Sequence, residues 1–231
     1  MIKKTGDSSN HRSMKVRVKT AKGRKLSSTL WLQRQLNDPY VQRAKRDGFR
    51  SRATYKILEM NEKHRFLVPS SRVIDLGCAP GGWLQVASDV TNSSHEKVKV
   101  VGIDYLELEP VSGCVILQKN FLDEDAPQAL LDALGGHAPT LVMSDMAAPT
   151  TGHKQTDHLR TTHLFEVAAE FARESLEPGG TFLSKVFRGG TEHEQLRELK
   201  RDYTSIAHLK PPASRKESPE LYVLARGFRG R

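Results

Sequence analysis

The chain has 231 residues, enough for one α/β domain of good size with an extension and too few for two independent cores. It is 37% hydrophobic with a net charge of +9, and no apolar run approaches the roughly 20 residues of a membrane span, which argues against a membrane protein. The basic N-terminus lacks the apolar segment of a signal peptide, and Cys78 and Cys114 form no CxxC motif, so a cytoplasmic protein without disulfides or a zinc site is expected.

In chain order, residues 1–27 lack periodic apolar positions and read as a flexible basic arm. Lys and Arg stand against Asp and Glu at nine to one in residues 1–25, nine to four in 26–65 and eighteen to twenty-two in 66–231. The basic excess is thus N-terminal. It fits a solvated tail or an arm that neutralises the phosphates of a nucleic acid, and charge alone does not separate the two. Residues 28–65 read as a basic helical lead-in within a domain spanning 28–231. It contains LWLQRQL and then PYVQRAKRDGFRSRATYKILEMNEKH, broken near Gly48. Tyr55, Ile57, Leu58 and Met60 would face inward, with Arg43, Lys45, Arg46, Arg50, Arg52 and Lys56 on the basic face.

Residues 66–231 alternate strand with helix. The candidate strands are RVIDLG, KVVGIDYL, CVILQKN, TLVMSDM, GGTFLSKVF, SIAHLK and ELYVLARGF, with helices near 82–90, 126–134, 156–176 and 191–202. This predicts a seven-stranded, mostly parallel sheet with helices on both faces. Only the loop PPASRKESP joins the last two strands, which predicts a C-terminal antiparallel hairpin. The segment Ala148–Asp157 reads as a mobile loop over the crevice. His153, His158 and His163 recur every five residues, on different helix faces, so no metal site is expected from them.

In such a sheet, ligands lie at the C-terminal strand ends near the switch point. The first strand runs into DLGCAPGGW, residues 75–83, a glycine-rich turn that lets backbone approach a ligand. It lacks the Gly-Lys-Ser/Thr ending of a triphosphate-binding loop, and Gly77, Gly81 and Gly82 are not spaced as GxGxxG. Asp104 ends the second strand, placed to accept both hydroxyls of a ribose. Asn120, Ser144-Asp145 and Lys185 belong to the third, fourth and fifth. A ligand with a ribose and no phosphate fits these groups, and S-adenosylmethionine is the common one.

Five motifs now coincide: SRATYK (51–56), DLGCAPGGW, VMSDMA (142–147), PGGTFLSKVF (178–187) and SPELY (218–222). From about Leu30 to Gly227 the chain resembles the FtsJ/RrmJ family of RNA ribose 2′-O-methyltransferases. The resemblance implies a Rossmann-like class I methyltransferase fold and a catalytic tetrad of Lys56, Asp145, Lys185 and Glu220. A ribose hydroxyl is a poor nucleophile near neutral pH. Lys185 would activate it, as a base or as a cation steadying the oxyanion, with Lys56 a second cation nearby. Asp145 would orient Lys185 and the methyl donor, and Glu220 would hold a lysine or the ribose. For S-adenosylmethionine, Gly77, Gly81 and Gly82 would lie along the amino-acid end, Trp83 would cover it, and Asp104 would bind the ribose. Asn120 stands where the family commonly has an aspartate reaching the adenine. The implied substrate is a uridine of 23S rRNA within the 50S subunit, acted on by a monomer. A tRNA anticodon loop, an mRNA cap, or a non-enzymatic RNA-binding or ribosome-assembly role are the alternatives. Read singly, Lys56 is one more lysine on a basic helix, Glu220 an edge-strand charge and Asp145 a helix cap. Lys185 differs, since a lysine in a central strand beside Val186-Phe187 is costly without a role.

Overall fold

The computed structural model describes residues 16–18, 20, 22–149, 151–188 and 194–230. Its strands are β1 (Val73–Leu76), β2 (Val100–Asp104), β3 (Cys114–Gln118), β4 (Leu141–Ser144), β5 (Thr181–Phe187), β6 (Tyr203–Leu209) and β7 (Glu220–Phe228). They form one sheet in the order β3-β2-β1-β4-β5-β7-β6. Strands β1 to β5 are parallel, and β7 is antiparallel to both β5 and β6, which confirms the expected hairpin. The order reverses between β1 and β4, and that reversal opens a crevice at the C-terminal strand ends.

Every residue of β1, β2 and β4 is buried, as covering a parallel sheet on both faces requires. The helices are α1 (Leu26–Asn37), α2 (Pro39–Asp47), α3 (Thr54–His64), α4 (Gly82–Thr91), α5 (Ala126–Ala133), α6 (Lys154–Ser175) and α7 (Glu194–Asp202). Strand alternation sorts the core into two layers. Ile74, Leu76, Val101, Ile103, Val142 and Phe182 pack with Leu130, Phe165, Phe171 and Leu199 of α5, α6 and α7. On the opposite face Val73, Met143, Leu183, Tyr222 and Leu224 pack with Ile57 and Met60 of α3 and Trp83 and Leu84 of α4.

The lead-in is helical as its sequence suggests, with the expected break at Gly48. Helix α1 begins at Leu26, inside the expected arm, and Asn37 at its end both accepts from the backbone N–H of Val16 and donates to the Val16 carbonyl. Residues 1–15 of the arm lie outside the described residues. Asp38 caps α2 by accepting from Tyr40 N, Pro39 takes the first helical position, and Gly48 closes the helix at φ 75°.

Two arginines assigned to the basic face, each partly exposed, turn onto backbone carbonyls. Arg52 pairs with Asp38 Oδ2 at 2.7 Å and donates to the carbonyl of Ala213, while Glu59 accepts from Ala213 N at 2.7 Å. These contacts latch α2 and α3 onto the β6–β7 loop that leads into Glu220. Arg50 is also turned inward. Charge patterning marks a cation without telling whether it meets solvent or carbonyls.

The segment expected as a mobile loop up to Asp157 is shorter, because α6 starts at Lys154. Asp157 in its first turn accepts from the N–H groups of Thr151 (2.7 Å) and Gly152 (3.3 Å) and from the Thr151 hydroxyl, which satisfies backbone donors ahead of the helix. Among the described residues no helix is long and apolar enough to cross a membrane.

Candidate active site

Pairing register gathers the polar cluster. Lys185 lies opposite Tyr222 and Phe187 opposite Glu220 in the β5–β7 ladder, and the two-residue repeat of a strand puts Glu220 and Tyr222 on one face. Asp145 follows directly on β4, whose Ser144 pairs with Ser184, so its side chain is brought beside Lys185. Lys56 arrives on the third residue of α3, which Ile57 and Met60 hold against that face.

The four residues of the expected tetrad therefore meet. Lys185 Nζ donates to the Asp145 carbonyl at 2.6 Å and stands 3.3 Å from Asp145 Oδ1 and 3.9 Å from Glu220 Oε1. Lys56 Nζ donates to Glu220 Oε1 at 3.0 Å and to the Tyr222 hydroxyl at 2.9 Å, and is 3.9 Å from Asp145 Oδ2. The Tyr222 hydroxyl in turn donates to Asp145 Oδ1 at 2.7 Å. Lys185 is 5% exposed and Asp145 21%, so the pair is largely dehydrated with one carboxylate edge open. Burial acts to raise the Asp145 carboxyl. The opposing attraction of Lys185 and then Lys56, with the hydrogen bonds from Tyr222 and Lys185, holds it below the usual carboxylate range. Two lysines and two carboxylates thus balance in a site that still offers ammonium hydrogens.

Asp145 also lines a cavity of about 840 Å³ at the ends of β1, β2 and β3. Its walls include Gly77, Ala79, Asp104, Leu106, Asn120, Phe121, Leu122, Met146, Arg160 and His163. Asp104 has both oxygens oriented by backbone, Oδ2 accepting from Ala79 N and Oδ1 from Leu106 N, each at 2.9 Å. Each oxygen keeps a second lone pair for a hydroxyl. Asn120 lies two residues past β3, its Oδ1 accepting from Leu122 N at 3.1 Å, which fixes which end of the amide the turn holds. The described lining offers two carboxylates and one arginine, a poor place for a phosphate and a good one for a cationic nucleoside.

The glycine turn and the tryptophan have separate duties. Gly77 lines the cavity at φ 76°, and a Cβ there would lie 2.6 Å from the Met146 side chain. Gly81, at φ 102°, caps α4. Gly82 lets α3 approach, since its Cβ would sit 2.3 Å from Thr54 Oγ1. Neither Gly81 nor Gly82 is among the lining residues. Trp83 does not cover the cavity either. As the second residue of α4 it is directed into the α3–α4 interface, 4% exposed, its Nε1 donating to the Ala53 carbonyl at 2.9 Å and its ring 5.8 Å from that of Tyr222.

Two residues of the site were not singled out from the sequence. Tyr222 bridges Lys56 and Asp145, and its signal was its place two residues after Glu220. Asp75 is 1% exposed in the middle of β1, and neither carboxylate oxygen has a hydrogen-bond partner among the described residues. Burial, with repulsion from Asp145 and Asp104, pushes its carboxyl well above the usual range. A carboxylate between Ile74 and Leu76 in a buried strand was itself the signal. The histidines lie apart: His153 stands at the N-cap position of α6 without a side-chain capping bond, His158 faces the Phe187 ring at 6.3 Å, and His163 lines the cavity. No group of three potential metal ligands occurs among the described residues.

Comparison with known proteins agrees with this geometry. A family model described as FtsJ-like methyltransferase matches residues 49–228. "Ribosomal RNA large subunit methyltransferase E" of Mesorhizobium japonicum is 60% identical, covering 95% of this chain and 83% of its own length. The protein of the same name from Parvibaculum lavamentivorans is 56% identical, covering 98% and 91%. Among solved structures, a protein described as a ribosomal RNA methyltransferase from Plasmodium falciparum superposes with a TM-score of 0.68 at 28% identity, covering 79% of this chain and 100% of that one.

Proposed function

The chain belongs to the FtsJ-like methyltransferase family, and from that premise we propose that it transfers a methyl group from S-adenosylmethionine to a ribose 2′-hydroxyl of large-subunit ribosomal RNA in the cytoplasm. The substrate class follows the names of its relatives, and a 23S uridine presented by the 50S particle is the specific target proposed. The observation that carries the reading is the double membership of Asp145, which belongs both to the lysine cluster and to the wall of the cavity that holds Asp104. A methyl donor in that cavity and a hydroxyl at the lysines would meet at one carboxylate.

S-adenosylmethionine supplies, when bound, a methyl group on a sulfonium already activated for displacement. The chain's residues do the rest. Asp104 receives the ribose diol with oxygens pre-set by Ala79 and Leu106, and the apolar walls Leu106, Phe121 and Leu122 shed water around a base. Lys185, braced from behind by the Asp145 carbonyl and carboxylate, meets the attacking hydroxyl and manages its proton. Lys56 and Glu220 hold the other side of that oxygen's position, and Tyr222 ties their half of the cluster to Asp145. Positioning two reactants in line supplies most of the rate.

Asp104→Ala removes the diol acceptor and frees two loop amides. It is expected to weaken binding of S-adenosylhomocysteine by about 1–3 kcal/mol, read by calorimetry. Unchanged affinity would reject this cavity as the donor site.

A further inference from the structure

Arg50 lies in the link between α2 and α3, within the run assigned to the basic face. Its guanidinium is instead inserted between two loops. Nη1 donates to the carbonyls of Pro80 at 3.2 Å and Glu109 at 2.5 Å, and Nη2 to that of Pro110 at 2.6 Å. The backbone N–H of Arg50 donates to Gln85 Oε1 at 3.0 Å, while Gln85 Nε2 donates to the Gly48 carbonyl at 3.1 Å, lacing the first half of the link to α4. Gly81 makes room for this insertion, since a Cβ there would lie 2.9 Å from Arg50 Nη1.

The two loops so joined are the turn after β1, which contains Ala79, and the segment after β2, which contains Leu106. These are the residues whose amides orient the two oxygens of Asp104. One guanidinium therefore fixes the spacing of the loops, and the loops fix the carboxylate. Three charge-assisted bonds to carbonyls need a planar fork, and a lysine at this position would reach them only as a point charge.

We propose that Arg50 is a positioning residue for the methyl-donor half of the site and not an RNA contact. The assignment rests on the cavity being the donor site. It absorbs a residue just ahead of the SRATYK motif whose charge otherwise suggests phosphate binding.

The test uses the full chain with Arg50→Lys, Arg50→Gln and, as an exposed lead-in control, Arg46→Gln, whose parent side chain is 75% exposed. S-adenosylhomocysteine affinity is measured by calorimetry, RNA affinity by titration with a 23S rRNA fragment, and the donor KM and kcat by methyl incorporation. Both Arg50 variants are expected to raise the Kd for S-adenosylhomocysteine and the donor KM by about tenfold or more, as loss of charge-assisted hydrogen bonds does. RNA affinity and kcat at saturating donor are expected to stay within about twofold, because the Lys56–Asp145–Lys185–Glu220 cluster is untouched. Hydrogen exchange of residues 105–111 is expected to quicken in the Arg50 variants while β4 and β5 are unchanged, and Arg46→Gln is expected to leave donor binding alone. Unchanged donor affinity in both Arg50 variants would overturn the proposal. So would a loss confined to RNA binding, or faster exchange across the whole core. A wild-type chain that bound no S-adenosylhomocysteine would overturn the donor role itself, leaving the exchange of 105–111 to report on the clamp.

Discussion

Lys185→Met is expected to lower the single-turnover rate of methyl transfer by about 10²–10⁴-fold, the usual contribution of a positioned acid–base group. Affinity for S-adenosylhomocysteine is expected to stay within about twofold, because an effect made only in the transition state leaves ground-state binding alone. Three features support the split. The side chain is 5% exposed, its Nζ is 2.6 Å from the Asp145 carbonyl, and it is absent from the cavity lining. Methionine keeps the packing volume while Lys56 and Tyr222 still face Asp145, so the chain is expected to fold with reduced stability. Lys185→Arg is not expected to restore turnover, since a guanidinium is larger and permanently charged. A parallel loss of rate and donor affinity would move Lys185 from the hydroxyl side of the reaction to the donor side.

Asp145→Asn should behave differently, because this carboxylate serves both halves of the site. The substitution leaves Lys56 and Lys185 facing one remaining carboxylate, Glu220, and breaking a buried ion pair by deleting one partner costs about 3–5 kcal/mol. Stability, donor affinity and single-turnover rate are all expected to fall. The pH dependence has a defined sign. The folded carboxyl is held below its usual range, so its stabilisation is fully present above an unfolded value of about 3.9 and is lost as pH falls through the folded value. The gap in melting midpoint between wild type and Asp145→Asn is therefore expected to be widest above that value and to shrink in more acid solution. A gap that widened toward acid would contradict the ion-pair assignment.

Much of this architecture was legible from periodicity. Alternation of apolar runs with helical stretches gave all seven strands, and the missing helix between the last two gave the hairpin. The lysine–carboxylate cluster was legible through motif resemblance, because Lys56, Asp145 and Glu220 are unremarkable alone, Lys185 in its central strand being the exception, and only the β5–β7 register and α3 packing bring Lys56 to Glu220. Side-chain direction was the part sequence could not supply. Arg50 and Arg52 have the composition of an RNA-binding face, yet both meet backbone carbonyls. Trp83 and Gly82 sit in a ligand motif, but their contacts are with α3 and Ala53, which are remote in sequence. Asp75 was hidden for the opposite reason, as an acidic letter inside a motif read for its glycines.

Whether one site joins a methyl donor to a ribose hydroxyl of large-subunit RNA is decided by mapping methylated nucleotides after the purified chain, S-adenosylmethionine and 50S particles from cells lacking this protein are incubated together. The expected result is a new 2′-O-methyl ribose in 23S rRNA that Lys185→Met fails to form. A methyl group on a base, or none on 23S rRNA with wild-type protein that binds the donor, would contradict it.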